Sequence, residues 1–286
     1  MNSTSPIGKQ AIFKKKFLNT STYLIIAFVI FMVILYIFPL LYLINISLKT
    51  PKDFMMNPTS FTKSLINIEN YITVFEKNNL LLFFFNSVWY AFTANILTLS
   101  VTALAAFVIS RKYVKFSNFF YILFLMGIFL PDPLIPQFLL IRSLGLYNNP
   151  IGYILIRTNP GIIMLLMVGY YKTIPKEFDE AAALDGCGTV RYLWQILLPM
   201  SKPIFATSAI LFSIGIWNDI IGQVVFLTSP KYYPILRALF TFIGQYGNNW
   251  PPLAAAVFLV ALPVIVLFLF FQKHIISSMV ASGLKG

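Results

Sequence analysis

Six long apolar runs, separated by shorter polar ones, set the rhythm of this chain. They fall at about residues 23–46, 85–110, 119–140, 151–171, 204–227 and 253–271. None alternates strictly between apolar and polar positions, and each is far longer than a barrel strand. Only helices or closed barrels can satisfy the backbone in lipid, so the runs predict helices. The first run is about 24 residues, roughly 36 Å as a helix. That is too long for a signal-peptide core, no small-residue cleavage site follows it, and it reads as an uncleaved first span. The pattern predicts an all-α integral membrane protein with six transmembrane helices. Its parts are a tail over 1–22, a first span over 23–46 and a polar external segment over 47–84. A core over 85–271 and a tail over 272–286 complete it.

One polar segment departs from the rest. Residues 176–203, KEFDEAAALDGCGTVRYLWQILLPMSKP, are charge-dense between two apolar runs. They predict two short surface helices with a glycine break. Pro175 can open the first, where a missing N–H costs nothing. Glu177, Asp179 and Glu180 follow in its first turn, where the helix dipole favours negative charge. Gly186 and Gly188 interrupt the helix, and Thr189 is expected to cap the second. Val190, Leu193, Trp194 and Leu197 have the i, i+3, i+4, i+7 spacing of a single apolar face. Pro199 and Pro203 oppose further continuation.

Charge then orients the chain. Only 10% of the residues are charged, yet the net charge is +12. In a soluble protein that excess suggests nucleic acid. Here the basic residues form no stripe and sit between spans, where lysine and arginine mark cytoplasmic segments. Lys9, Lys14, Lys15 and Lys16 precede the first span; Arg111, Lys112 and Lys115 follow the second; Lys172, Lys176, Arg191 and Lys202 flank the glycine-broken loop. Both termini, and the loop over 172–203, are therefore expected in the cytoplasm. The lone cysteine, Cys187, excludes an intramolecular disulfide, and one histidine with one cysteine leaves no basis for a metal site or a catalytic constellation.

The order Glu180-Ala181-Ala182, then Asp185-Gly186, then Ile196-x-Leu198-Pro199 resembles the EAA loop of ABC importer permeases. Other stretches resemble the carbohydrate branch of that group. They are Asn86-Ser87, Ser110-Arg111, Pro131, Ile135-Pro136, Leu144-Gly145-Leu146 with Asn148, Trp217-Asn218-Asp219, Ala254-Ala255-Ala256 with Leu262-Pro263, and the tail Gly283-Leu284-Lys285-Gly286. Cys187 stands where the family usually has alanine, a small change between two small residues that tolerate burial.

The resemblance implies the type I importer permease fold and a translocating subunit that is not itself an enzyme. It implies a coupling role for the 172–203 loop, with Glu180 meeting an ATPase. The implied partners are a second permease in a heterodimer, two ATP-binding subunits, an extracytoplasmic binding protein, a sugar, and the bilayer of the cell membrane. No Gly-x-x-x-x-Gly-Lys-Ser/Thr run occurs, so ATP belongs to the partner subunits and this chain is expected to hold no cofactor. The same permease fold also carries phosphate, peptides and polyamines, and those substrates stay open. A secondary transporter would need coupling-ion sites, often in paired repeats, and no repeat is visible.

Charged residues within spans are functional candidates by default. Asp132 lies between two prolines that break a helix, Asn218 and Asp219 follow Trp217, and Arg157 precedes Asn159-Pro160. They either line a translocation path or pair with a partner permease. The alternative is that they reach the outer interface or satisfy broken helix ends. The segment 228–250, rich in Tyr, Phe and Gly, is expected outside as a loop that meets the binding protein.

Overall fold

The computed structural model describes residues 20–61, 67–77 and 79–283. The N-terminal lysines and the residues after Gly283 in the C-terminal motif lie outside the described residues. Everything described is helical or connecting chain. The first helix, α1 (Thr20–Ser47), exposes apolar side chains all round from Tyr23 to Leu41. A helix apolar on every face needs lipid or a large core as its solvent. Most of its packing is along one line, against the last helix, α15 (Trp250–Gly283).

Two short helices follow in the polar segment, α2 (Pro51–Met56) and α3 (Glu69–Lys77). The segment is pinned by buried polar groups that its composition does not reveal. Lys49 is fully buried, and its Nζ donates to the carbonyls of Asn57 at 2.8 Å and Pro58 at 2.9 Å. Asn70 Nδ2 donates to the carbonyls of Ser47 and Lys49, both at 2.8 Å.

The spine of the fold is α4 (Leu80–Ser110). Three apolar clusters are strung along it. Leu80 and Phe83 join α3, α14 (Ile235–Tyr246) and α15; Tyr90, Ala91 and Ala94 join Tyr153, Ile216 and Phe226; Ala103, Ala106 and Phe107 join α8 (Gly161–Thr173) and the glycine-broken loop. The Asn86-Ser87 pair ties the spine to the chain ahead of α14. Asn86 Nδ2 donates to the carbonyls of Lys231 and Tyr233 at 3.0 Å, and Ser87 Oγ accepts the Ile235 N–H at 2.8 Å. The 228–250 stretch is thus not a bare loop. Its helix α14 buries Ile235, Ala238, Phe242 and Tyr246 against α15 and α4.

The third, fourth and fifth apolar runs are not the straight helices that their length predicts, whereas the sixth lies within the single helix α15. Among the described residues, α1 and α4 are long and apolar enough to cross a membrane unbroken. Three further pairs of apolar helices are bent at a short break. Helix α5 (Ser117–Phe129) meets α6 (Leu134–Ser143) at 106°, α7 (Pro150–Arg157) meets α8 at 49°, and the second helix of the loop meets α12 (Lys202–Trp217) at 73°. Prolines explain the first two breaks. Pro131 and Pro133 flank the first, and Pro160 stands in the second, each lacking the N–H a continuing helix needs. The fifth run breaks again at Asn218-Asp219, before α13 (Ile220–Phe226). Hydropathy is blind to a bend, because a broken helix stays apolar on both sides of its break.

Candidate functional site

Two constructions stand out, one at each end of the bent pairs. The first is the loop over 172–203. Helix α9 (Glu177–Leu184) starts from a turn at Pro175-Lys176 and carries its acidic first turn as expected. It ends at Gly186, whose φ of +70° places it in the left-handed region that glycine alone reaches without strain. There the Cys187 N–H donates to the Ala182 carbonyl at 2.8 Å and the Gly186 N–H to the Ala183 carbonyl at 3.1 Å. This is the paired closure of a Schellman motif. The second helix, α10 (Thr189–Tyr192), is capped by Gly188 rather than Thr189. It runs through a π-helical turn, Leu193–Leu197, into α11 (Leu198–Met200).

The single apolar face expected on that helix is divided. Leu193 and Leu197 are buried, whereas Val190 and Trp194 are 71% and 66% exposed. The four residues sit at the border of the helix's inner side, and one pair rolls in while the other faces out. The buried pair joins Ala182 and Tyr192 in the cluster with Phe107, Met164, Met167, Val168 and Tyr171. Ile196 and Leu198 pack against its rim. Glu180, Ala181, Asp185 and Pro199 face outward. The loop is therefore one layer thick, with its underside bonded to α4 and α8 and its upper side showing Glu180, Leu184, Val190 and Trp194.

A charge clamp holds that layer in place, and the spacing of the sequence does not announce it. Arg111, the residue that ends α4, is buried. Its Nε meets Asp179 Oδ2 at 2.7 Å and its Nη2 donates to Asp179 Oδ1 at 3.1 Å. Its Nη1 donates to the carbonyls of Tyr171 at 3.3 Å and Ile174 at 3.1 Å. The Tyr192 hydroxyl donates to the same carboxylate, joining the two short helices. Burial first, and the neighbouring Asp179 second, push the Tyr192 phenol up to about 12. Its pKa is raised above the unfolded value of about 10, so what the phenol contributes is complete below pH 10 and fades as pH climbs to about 12. At neutral pH it is a fixed donor. In the sequence, Asp179 reads only as a dipole-matching acid and Arg111 only as a topology marker.

The second construction lies where the broken spans meet. Arg157, at the end of α7, donates from Nη1 to Asp132 Oδ2 at 2.7 Å, and its Nε meets Asp219 Oδ2 at 2.6 Å. The Tyr153 hydroxyl donates to Asp219 Oδ2 at 2.9 Å. The guanidinium lies 5.9 Å from the centre of the Phe226 ring. Asp219 also caps α13, its Oδ1 accepting the Gly222 N–H at 3.1 Å. Asn218 does not join the cluster. It closes the other side of the break, donating from Nδ2 to the Ile214 carbonyl at 3.0 Å. Gln223 Nε2 donates to the carbonyls of Ile216 and Trp217 at the end of α12, the first of which also accepts the Asp219 N–H. The Trp-Asn-Asp sequence is thus a helix ending followed by a helix beginning, with one polar residue for each.

Gly222 leaves room for this arrangement. A Cβ there would lie 2.2 Å from Arg157 Nη2 and 2.3 Å from Asp219 Oδ2. Gly222→Ala is expected to push the guanidinium off its carboxylate at a cost of about 1–3 kcal/mol. A lowered thermal midpoint of the purified chain would register it, and an unchanged midpoint would contradict the geometry.

Bent apolar helices joined by ion pairs, with a surface loop docked against α4 and α8, are the architecture of an all-α multi-pass membrane protein. The comparisons place it. Residues 102–280 match the family described as binding-protein-dependent transport system inner membrane component. The chain belongs to that family: it is a permease component of an ABC importer that works with a binding protein. It is similar to the arabinooligosaccharides transport system permease protein AraQ of Halalkalibacterium halodurans, 30% identical over 265 residues, covering 90% of this chain and 94% of the relative. It is 28% identical to the sulfoquinovosyl glycerol transport system permease protein SmoH of Agrobacterium fabrum, over 87% of this chain and 89% of that one. It is 27% identical to the trehalose/maltose transport system permease protein MalG of Thermococcus litoralis, over 92% and 96%. The fold matches a chain of a bacterial ABC transporter involved in the import of the acidic polysaccharide alginate. There the TM-score is 0.79 at 21% identity, over 88% of this chain and 95% of that one.

Proposed function

We propose that this chain is one of two permease subunits of a sugar or oligosaccharide importer, paired with a second, different permease and driven by two separate ATPase subunits. The sugar assignment is supported by the relatives, which are named for arabinooligosaccharides, a sulfoquinovosyl glycerol and trehalose or maltose. In this reading the chain crosses the membrane six times. The crossings are α1, α4, the pair α5–α6, the pair α7–α8, α12 with α13, and α15. Both termini are cytoplasmic, following the lysines before α1 and the basic residues after α4. The extracytoplasmic binding protein delivers the sugar to the face formed by α2, α3 and α14. Asp132 and Asp219 border the path from that face.

The observation that carries the coupling role is the division of the 172–203 loop into a bonded underside and an apolar upper side. Leu184, Val190 and Trp194 are each largely exposed, and Glu180 lies on the same helix as Leu184. Exposed apolar groups outside lipid mark a contact surface. Moving a two-state transporter from about 1:99 to 99:1 takes on the order of 5.5 kcal/mol. One exposed ion pair supplies about 0–1 kcal/mol. Glu180 therefore orients the ATPase contact, and the apolar residues supply most of its strength. Replacing Leu184 and Trp194 together by Asp is expected to abolish co-purification of the ATPase and sugar uptake, while Glu180→Ala weakens both only severalfold. Full ATPase association in the double variant would sink the assignment.

A further inference from the structure

The groups joined at Arg157 belong to three different broken crossings. Asp132 sits in the break between α5 and α6, Arg157 ends α7, and Asp219 opens α13. The half-helices α5, α8 and α12, which run from the loop side to these breaks, have 13, 13 and 16 residues. At 1.5 Å per residue they rise about 20–24 Å, so the three breaks share one level in the outer half of the membrane. A single guanidinium fastens three outer segments there.

Its two arms differ in kind. The Asp219 arm is enclosed: that side chain is 17% exposed and also holds the Tyr153 hydroxyl and the Gly222 amide, with Phe226 beside the guanidinium. The Asp132 arm is open. Its carboxylate is 48% exposed, pairs among the described residues with Arg157 Nη1, and stands on the non-helical stretch Leu130–Pro133. Breaking the enclosed arm would separate two opposite charges that are poorly hydrated, which is strongly opposed. Breaking the open arm exchanges one contact for hydration at little cost.

We propose that Arg157 is a positioning residue for transport. Through Asp219 it keeps α7 and α13 as one body, and through Asp132 it latches the α5–α6 break against that body until the external side opens. Asp132 is the releasable arm. Opening admits water to its carboxylate, and hydration then holds the latch open. This inference rests on the importer reading above.

The test uses the assembled complex of both permeases and both ATPases in proteoliposomes, with ATP hydrolysis read in the absence and presence of the binding protein. Asp132→Asn removes the open arm and is expected to raise hydrolysis without binding protein about threefold. Asp132→Glu is expected to return it to the parental level. Arg157→Lys is the independent check. It keeps a cation beside Asp219, but an ammonium cannot hold two carboxylates in one plane, so hydrolysis without binding protein should rise there too. The proposal is overturned if the assembled Asn and Lys variants both hydrolyse ATP at the parental rate without binding protein. It is also overturned if Asp132→Asn fails to assemble, since the contact would then be a brace and not a latch. Hydrolysis is read without cargo. A different cargo would abolish sugar uptake in the parent and leave the Asp132→Asn effect in place, so the two readings fail separately.

Discussion

Asp219→Asn is expected to destabilise the folded chain by about 3–5 kcal/mol, the cost of leaving one member of a buried ion pair alone. The substitution is clean for its purpose. Asparagine caps a helix as well as aspartate, so the bond to the Gly222 amide at the start of α13 survives. Its Nδ2 then stands where Oδ2 stood, so the Tyr153 hydroxyl turns to accept from the amide instead of donating to a carboxylate. What is lost is the charge facing Arg157, whose side chain is 14% exposed and therefore poorly hydrated. Asp132 remains, but its carboxylate is nearly half exposed and screened by water. The companion Asp132→Asn should accordingly cost no more than about 1 kcal/mol. Thermal unfolding of the detergent-purified chain compares the two. Equal, small losses would mean that the guanidinium is hydrated despite its enclosure, and the two-arm description of the cluster would be wrong.

Arg111→Ala is expected to do comparable damage at the opposite end of the crossings, again about 3–5 kcal/mol, and to do it to coupling as well as to stability. The substitution strips Asp179 of two charge-assisted contacts, removes the guanidinium donor from the Ile174 carbonyl and leaves the Tyr171 carbonyl with the Ile174 N–H. Only the Tyr192 hydroxyl would still hold the carboxylate. The loop should then lift from α4, which limited proteolysis within residues 176–203 would detect. Sugar uptake should fall by more than tenfold, the equivalent of about 1.4 kcal/mol or more in the coupled step. Arg111→Lys restores the charge but not the fork of donors that meets two carboxylate oxygens and two carbonyls at once, so it should recover stability in part. A protease-resistant loop in Arg111→Ala would show that apolar packing of Leu193 and Leu197 suffices without the clamp.

Much of this molecule is legible in its residues, and what is not legible shares a cause. The runs 23–46 and 85–110 become α1 and α4 because a long apolar sequence has one outcome in lipid, and the single Pro39 of α1 does not end the helix there. The glycine break at Gly186 is legible because it depends on a local backbone conformation that one residue type supplies. The capping at Asn218-Asp219 was foreseeable as a helix-end reading of that pair, though the choice between a path and a broken end needed the fold. Arg157, Asp132 and Asp219 meet across 25 and 62 positions of chain, and Arg111 meets Asp179 across 68. No window of periodicity spans those distances. The divided face of Val190, Leu193, Trp194 and Leu197 fails for a related reason. Spacing says which residues share a side of a helix, while the neighbours, here α4 and α8, decide how far that side is turned under.

The length of α4 has a consequence for the surroundings of the protein. Thirty-one residues make a rod of about 46 Å, against a hydrocarbon slab of about 30 Å. One end is lashed to the Lys231–Ile235 strap and the other to the Arg111 clamp, so the rod cannot shorten by unwinding at either tip. A thinner or thicker bilayer must instead be met by changing its inclination. The fastenings at Asn86–Ser87 and at Arg111 would then shift in opposite directions, and transport in vesicles is expected to change with the acyl-chain length of the lipid.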